Sequence, residues 1–122
     1  MTLGLRNMKE MKINKVCILP DGRLAIYPSK ASSSYQYVYR EACEVYWDND
    51  AQYFYSPFPR EWDYGKWYGQ IVSVVRTGLS IRLNLSDDTE FEAEEDNFKT
   101  DMIDANESVQ KWIDEQEIKQ EA

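Results

Sequence analysis

The side chains best suited to chemistry in this 122-residue chain are aromatic rings set among carboxylates. Thirteen of its seventeen aromatic residues fall between Tyr35 and Tyr68. There Tyr46, Trp47, Tyr53, Tyr55, Trp62 and Trp67 are interleaved with Glu44, Asp48, Asp50, Glu61 and Asp63. Aromatic faces attract cations and flat apolar molecules, and a nearby carboxylate strengthens the hold on a cation. Tyr and Trp also carry a polar tip, so a belt this dense is either an unusually aromatic core or the wall of a concave surface. The pattern nominates Tyr46, Trp47, Tyr53, Tyr55, Trp62, Trp67, Asp48 and Asp63 as a pocket for a small organic or cationic ligand. It would open between a hairpin at 44–56 and a helix starting at Asp63. Two rival readings use the same residues: a core with solvated loop charges, and a protein interface rich in Tyr and Trp.

Other chemistries find less support. The chain has no histidine, which removes the usual base near neutral pH and the commonest metal ligand. Serine-triad, cysteine–histidine and most zinc sites are thereby disfavoured. Asp48-Asn49-Asp50 places oxygens at alternate positions but lacks the glycine and terminal glutamate of a calcium loop, so it reads as a turn. Cys17 and Cys43 lack CxxC spacing, and no apolar leader segment precedes them; they read as free thiols of a cytoplasmic protein, with Cys17 filling core. No cofactor or metal is expected. A carboxylate in an apolar pocket, working with Tyr, can run acid–base chemistry near pH 7. No spacing selects such a pair, so an enzyme is the weaker alternative.

Charge is polarised along the chain. Residues 1–40 carry seven Lys/Arg and two Asp/Glu, while residues 86–122 carry three and fourteen. The net charge of −8 opposes nucleic acid and anionic membrane surfaces. No stretch has the roughly 18 apolar residues of a membrane span. Glu90, Glu92, Glu94, Glu95 and Asp96 form an acidic run that reads as solvated surface. Its density also suits mimicry of a phosphate backbone toward a DNA-binding partner, which makes an acidic protein-partner module, of immunity or inhibitor type, the second functional reading.

The elements that must position these groups follow from periodicity. Residues 12–19 and 23–27 form a hairpin around Pro20-Asp21-Gly22. Residues 35–47 fit either a strand or a helical stripe; ring density favours the strand. Residues 52–56 return as the second arm of a hairpin after the turn at 48–50. Asp63 caps a helix whose apolar face is Tyr64, Trp67, Tyr68, Ile71, Val74 and Val75, with Trp62 packed on Trp67 and Gly78 as the left-handed stop. Gly65 and Gly69 weaken that helix by roughly 1 kcal/mol each, and let a backbone or ligand approach its first turns. Residues 79–85 alternate as a strand, with 89–92 a short partner strand. Thr100 or Asp101 caps a last helix carrying Met102, Ala105, Val109, Trp112 and Ile113, whose end at 115–122 frays. The expectation is one α+β domain over 1–122, with residues 1–10 as a tail. Its antiparallel sheet, built from hairpins, packs on one long central helix, followed by a C-terminal helix. Exposed strand edges make a homodimer the expected assembly if a second copy pairs there.

Val45-Tyr46-Trp47-Asp48, Phe54-Tyr55-Ser56-Pro57 and Pro59-Arg60-Glu61-Trp62-Asp63-Tyr64 with Trp67 resemble a run found in uncharacterised integron gene cassette proteins, over roughly residues 15–92. That resemblance implies a small bacterial cytoplasmic protein carried on a mobile element. It brings no catalytic residues with it.

Overall fold

A computed structural model describes residues 9–41, 44–57 and 62–121. Expectations for residues 1–8, for Cys43 and for Pro59 lie outside them. The order is β1 (Lys9–Ile18), β2 (Leu24–Pro28), a 3-10 helix (Ser33–Glu41), β3 (Tyr46–Asp48), β4 (Tyr53–Tyr55), α1 (Tyr64–Leu79), β5 (Ile81–Asn84), β6 (Glu90–Glu92) and α2 (Phe98–Glu121). The fold is α+β. The sheet runs β3-β4-β2-β1-β5, with β6 also on β1. No helix among the described residues is long and apolar enough to cross a membrane.

The antiparallel half matches its sequence signals. Gly22 takes φ 95° in the first turn, a region open to glycine. The Asp21 carboxylate accepts from the Arg23 N–H at 3.1 Å and closes the turn. β3 and β4 pair Tyr46 with Tyr55, Trp47 with Phe54 and Asp48 with Tyr53. Ser56 extends the ladder beyond β4: its hydroxyl accepts from Leu24 N–H at 3.0 Å, and its own N–H donates to the Leu24 carbonyl.

The other half departs from a hairpin plan. β5 and β6 do not pair with each other; both lie parallel to β1 along its second edge. The turn between them is an i to i+3 loop held by Ser86 and Thr89, and it steps the chain sideways without reversing it. The step opens a gap in the ladder, where the register of β1 also shifts between Ile13 and Lys15. The buried Thr89 hydroxyl fills this gap by donating to the Ile13 carbonyl at 2.6 Å. Lys9 and Glu10, expected in a tail, pair with Ile81 and Arg82.

Three helix boundaries differ from expectation. Residues 35–41, read as strand, are 3-10 helical. The Ser32 hydroxyl accepts from the Ser34 N–H, and Tyr35 and Val38, three apart and eclipsed in this geometry, are both buried. Burial at that spacing outweighs the strand preference of tyrosine. In α1, Asp63 caps as expected, accepting from the Lys66 N–H at 2.8 Å, and Trp62 meets Trp67 with ring centroids 4.6 Å apart. Its end lies two residues later than the glycine signal. Gly78 stays helical and Ser80 takes the left-handed turn at φ 57°. That turn lies at the junction because β5 starts at the next residue, and the Ser80 carbonyl accepts the Lys9 N–H that opens β1. The last helix begins at Phe98, whose burial adds a turn before Thr100.

One hydrophobic core unites the inner sheet face, α1 and the 3-10 helix, with Phe98, Met102, Val109 and Ile113 from α2. Beside it a polar chain ties α2 to its neighbours. The Tyr68 hydroxyl donates to Asn106 at 2.7 Å, Asn106 donates to Asn84, and Gln110 donates to the Leu83 carbonyl. Arg82 reaches Gln110 at 2.6 Å and Asp114 at 2.9 Å.

Two predictions follow from these bonds. Thr89→Val keeps the shape but orphans the Ile13 carbonyl, which should lower stability by about 1–2 kcal/mol. An unchanged urea midpoint would show that the gap needs no bridge. Burial raises the Tyr68 phenol above the ordinary 10.0. The unfolded chain therefore ionises first, so this stability is intact below pH 10 and drains away above it. Urea midpoints of the wild type should fall steeply above pH 10, and those of Tyr68→Phe less steeply. Equal alkaline slopes would contradict this.

Candidate functional site

The eight nominated residues do not line one mouth. The pleat divides them, because neighbours along a strand point to opposite faces. Trp47 turns inward, where its ring meets Tyr35 and Phe54, each at 4.8 Å between centroids. Trp67 is buried under Trp62, and its indole N–H has no hydrogen-bond partner among the described residues. Asp48 spends a carboxylate oxygen on the N–H groups of Asp50 and Ala51, at 3.0 and 2.9 Å. Asp63 caps α1 in the same manner.

Tyr46, Tyr53 and Tyr55 go to the other face and meet there. Tyr46 lies against Tyr55 at 5.3 Å, Tyr55 against Tyr53 at 5.8 Å, and Tyr53 against Tyr27 of β2 at 5.1 Å. The Arg23 guanidinium sits over the Tyr55 ring at 5.5 Å, and the Lys15 ammonium over Tyr27 at 4.7 Å. The two cations are held in place by Asp21 and Glu92 respectively. The result is a row of four tyrosines, with Lys15 over the end ring of Tyr27 and Arg23 over the interior ring of Tyr55, on the sheet face opposite Ile26 and Phe54. Tyr46 is exposed and the other three are half-buried. At the Lys15 end the row opens into a hollow of about 920 Å³, bordered by Cys17, Tyr27, Phe91 and Glu92.

Tyr27, Arg23 and Lys15 were absent from the nominated set. Alternation within 23–27 does place Tyr27 and Ala25 on one side. What it lacks is the pairing of Ala25 with Tyr55, which brings β2 and β4 rings onto one surface.

Protonation in this region is quiet. Burial pushes the Cys17 thiol and the Tyr27 phenol up. Burial, then the Asp48 charge, does the same to Tyr53. Burial opposes the charge on Lys15, but Glu92, Tyr27 and Cys17 outweigh it and raise its pKa. Each shift holds its group in the form it already has near pH 7. The bonded hydroxyls of Tyr35, Tyr64 and Tyr68 donate to the Lys30 carbonyl, the Gly22 carbonyl and the Asn106 amide oxygen, not to a carboxylate. Among the described residues no three His, Cys, Asp or Glu side chains gather as metal ligands.

A second hollow, about 680 Å³, runs between α1 and α2. Asp63 is the nominated residue that borders it, and Gly65 and Gly69 lie in its wall.

Comparison with known proteins agrees with the resemblance drawn from the aromatic and proline run. No curated protein matches the chain. A solved structure from the mobile metagenome of North West Arm Sewage Outfall, the integron cassette protein Hfx_Cass5, is 28% identical to it. That match covers 82% of this chain and 98% of the other, with a TM-score of 0.40. The family model of integron cassette protein Hfx_Cass5 matches residues 12–89, most of the chain, and the protein therefore belongs to that family.

Proposed function

We propose that the protein works by binding, and that its contact surface is the tyrosine row. The observation that carries this reading is the continuous ring contact from Tyr46 through Tyr55 and Tyr53 to Tyr27, on the face opposite the one where Ile26 and Phe54 are buried. Such rings do little for the core, yet they are positioned by two strand pairings and by each other. Ring faces of this kind receive flat organic molecules, and Arg23 over Tyr55 and Lys15 over Tyr27 add polar contacts beside them. Upward-shifted Cys17, Tyr27 and Tyr53 offer neither a thiolate nor a phenolate near neutral pH, which favours binding over catalysis.

The test uses a flat neutral probe, quinoline, titrated into protein labelled on its tyrosine rings. Ring signals of Tyr53 and Tyr55 should shift, with little dependence on salt. The double variant Tyr53→Ala with Tyr55→Ala should lose the response. Shifts confined to other parts of the molecule, or retained in that variant, would contradict the reading.

A further inference from the structure

The groove between the two helices has a different chemistry from the tyrosine row and is lined by none of the row's rings, although it shares Tyr64 and Glu95 with the hollow at the row's Lys15 end. α1 and α2 run in the same direction. Tyr64 and Phe98 meet at one end with ring centroids 6.4 Å apart, and Arg76 sits over Trp112 at the other, 5.8 Å from its ring. Between these ends the wall of α1 includes Gly65 and Gly69, with Lys66 and Ser73. A Cβ on Gly65 would make ordinary contacts with Asp63 Oδ1, at 3.4 Å, and Ala105, at 3.7 Å, and a Cβ on Gly69 would meet nothing within 4 Å. Close packing of the helices therefore does not require glycine at 69, although glycine weakens a helix interior. Its effect is to leave the groove open along an apolar floor that includes Met102 and Val109.

The rim is predominantly acidic. Asp63, Glu95, Asp101 and Asp104 border the groove, against Lys66 alone among the described lining residues. Glu95, Asp101 and Asp104 form no ion pair among the described residues. Lys99, the cation nearest in sequence, points over Phe91, away from the groove's lining. An open apolar trough ending in aromatic rings, beneath unpaired carboxylates, selects for positive charge on a hydrophobic body. The volume, about 680 Å³, is that of small-molecule sites.

We propose that the α1–α2 groove is a binding site for an amphiphilic organic cation. The amine or guanidinium head would lie among Glu95, Asp101 and Asp104, and the apolar body along Gly65 and Gly69 toward Trp112. The site is independent of the tyrosine row, and either can fail without the other.

Two probes of equal shape separate charge from fit: 4-phenylbutylammonium and 4-phenylbutanoate, each titrated into the full chain and followed by backbone amide shifts. The cation should move the amides of Gly65, Gly69 and Ala105 and leave the Tyr53 and Tyr55 rings unmoved, while the anion moves none of them. Asp101→Asn with Asp104→Asn changes exposed side chains and should weaken the cation about tenfold at low salt. Gly69→Leu fills the trough from a position with free space and should abolish the response with the fold intact. Equal binding of both probes, binding of neither, or an unaltered response in the two-carboxylate variant would overturn the proposal.

Discussion

The two-residue period of β2 and β4 decides which strand rings this protein presents to solvent and which it buries. The helices and the 3-10 segment gather on one side of the sheet, so every second residue of these strands has no helix to meet. Ile26 and Phe54 are paired in register and are both fully buried beneath helices. Their neighbours Tyr27, Tyr53 and Tyr55 must then face outward. A one-residue slip would exchange the two sets and leave the core filled with phenols. Contacts within the row add about 0.5–1.5 kcal/mol for each aromatic pair and help fix that register. The outward rings are a consequence of the register that builds the core, and they also hold it.

The second constraint is the position of β1. It is the strand shared by both halves, antiparallel to β2 on one edge and parallel to β5 and β6 on the other. Thr89 joins those edges where the ladder breaks. The polar chain from Tyr68 through Asn106 and Gln110 to Arg82 then fixes α2 beside α1 without filling the space between them. A bond from the side of one helix to a neighbouring strand sets a spacing that apolar packing alone would close. The groove and the core are compatible because that polar chain carries part of the helix contact.

Much of this was readable from residue order. The first hairpin, the turn at Asp48, the cap at Asp63, the Trp62–Trp67 contact and the α+β class all follow from local signals. The errors share one cause, in that tertiary partners outweighed local preference. Tyrosine density favoured a strand over 35–41, but burial of Tyr35 and Val38 at a spacing of three decided for a 3-10 turn. Gly78 offered a helix stop, but the link from Lys9 to Ser80 placed it two residues on. Residues 89–92 read as a partner strand following 79–85, whereas the two segments each lie parallel to β1. The candidate site was half legible. The right segment was identified, but strand pairing, which divides its rings between core and surface, is not written in any single stretch. Tyr27 was missed because its partners lie about 26 residues away in sequence. The openness left by Gly65 and Gly69 was visible, whereas Asp101 and Asp104 on its rim come from another helix.

If the four-tyrosine row is open to solvent, reagents in solution must reach its rings. Mild nitration with tetranitromethane, mapped by peptide mass spectrometry, should modify Tyr46, Tyr53, Tyr55 and Tyr27 along with the exposed Tyr37, and spare the buried Tyr35 and Tyr68. Protection of Tyr53 and Tyr55 while Tyr37 reacts would mean that the face is covered, and would contradict the account.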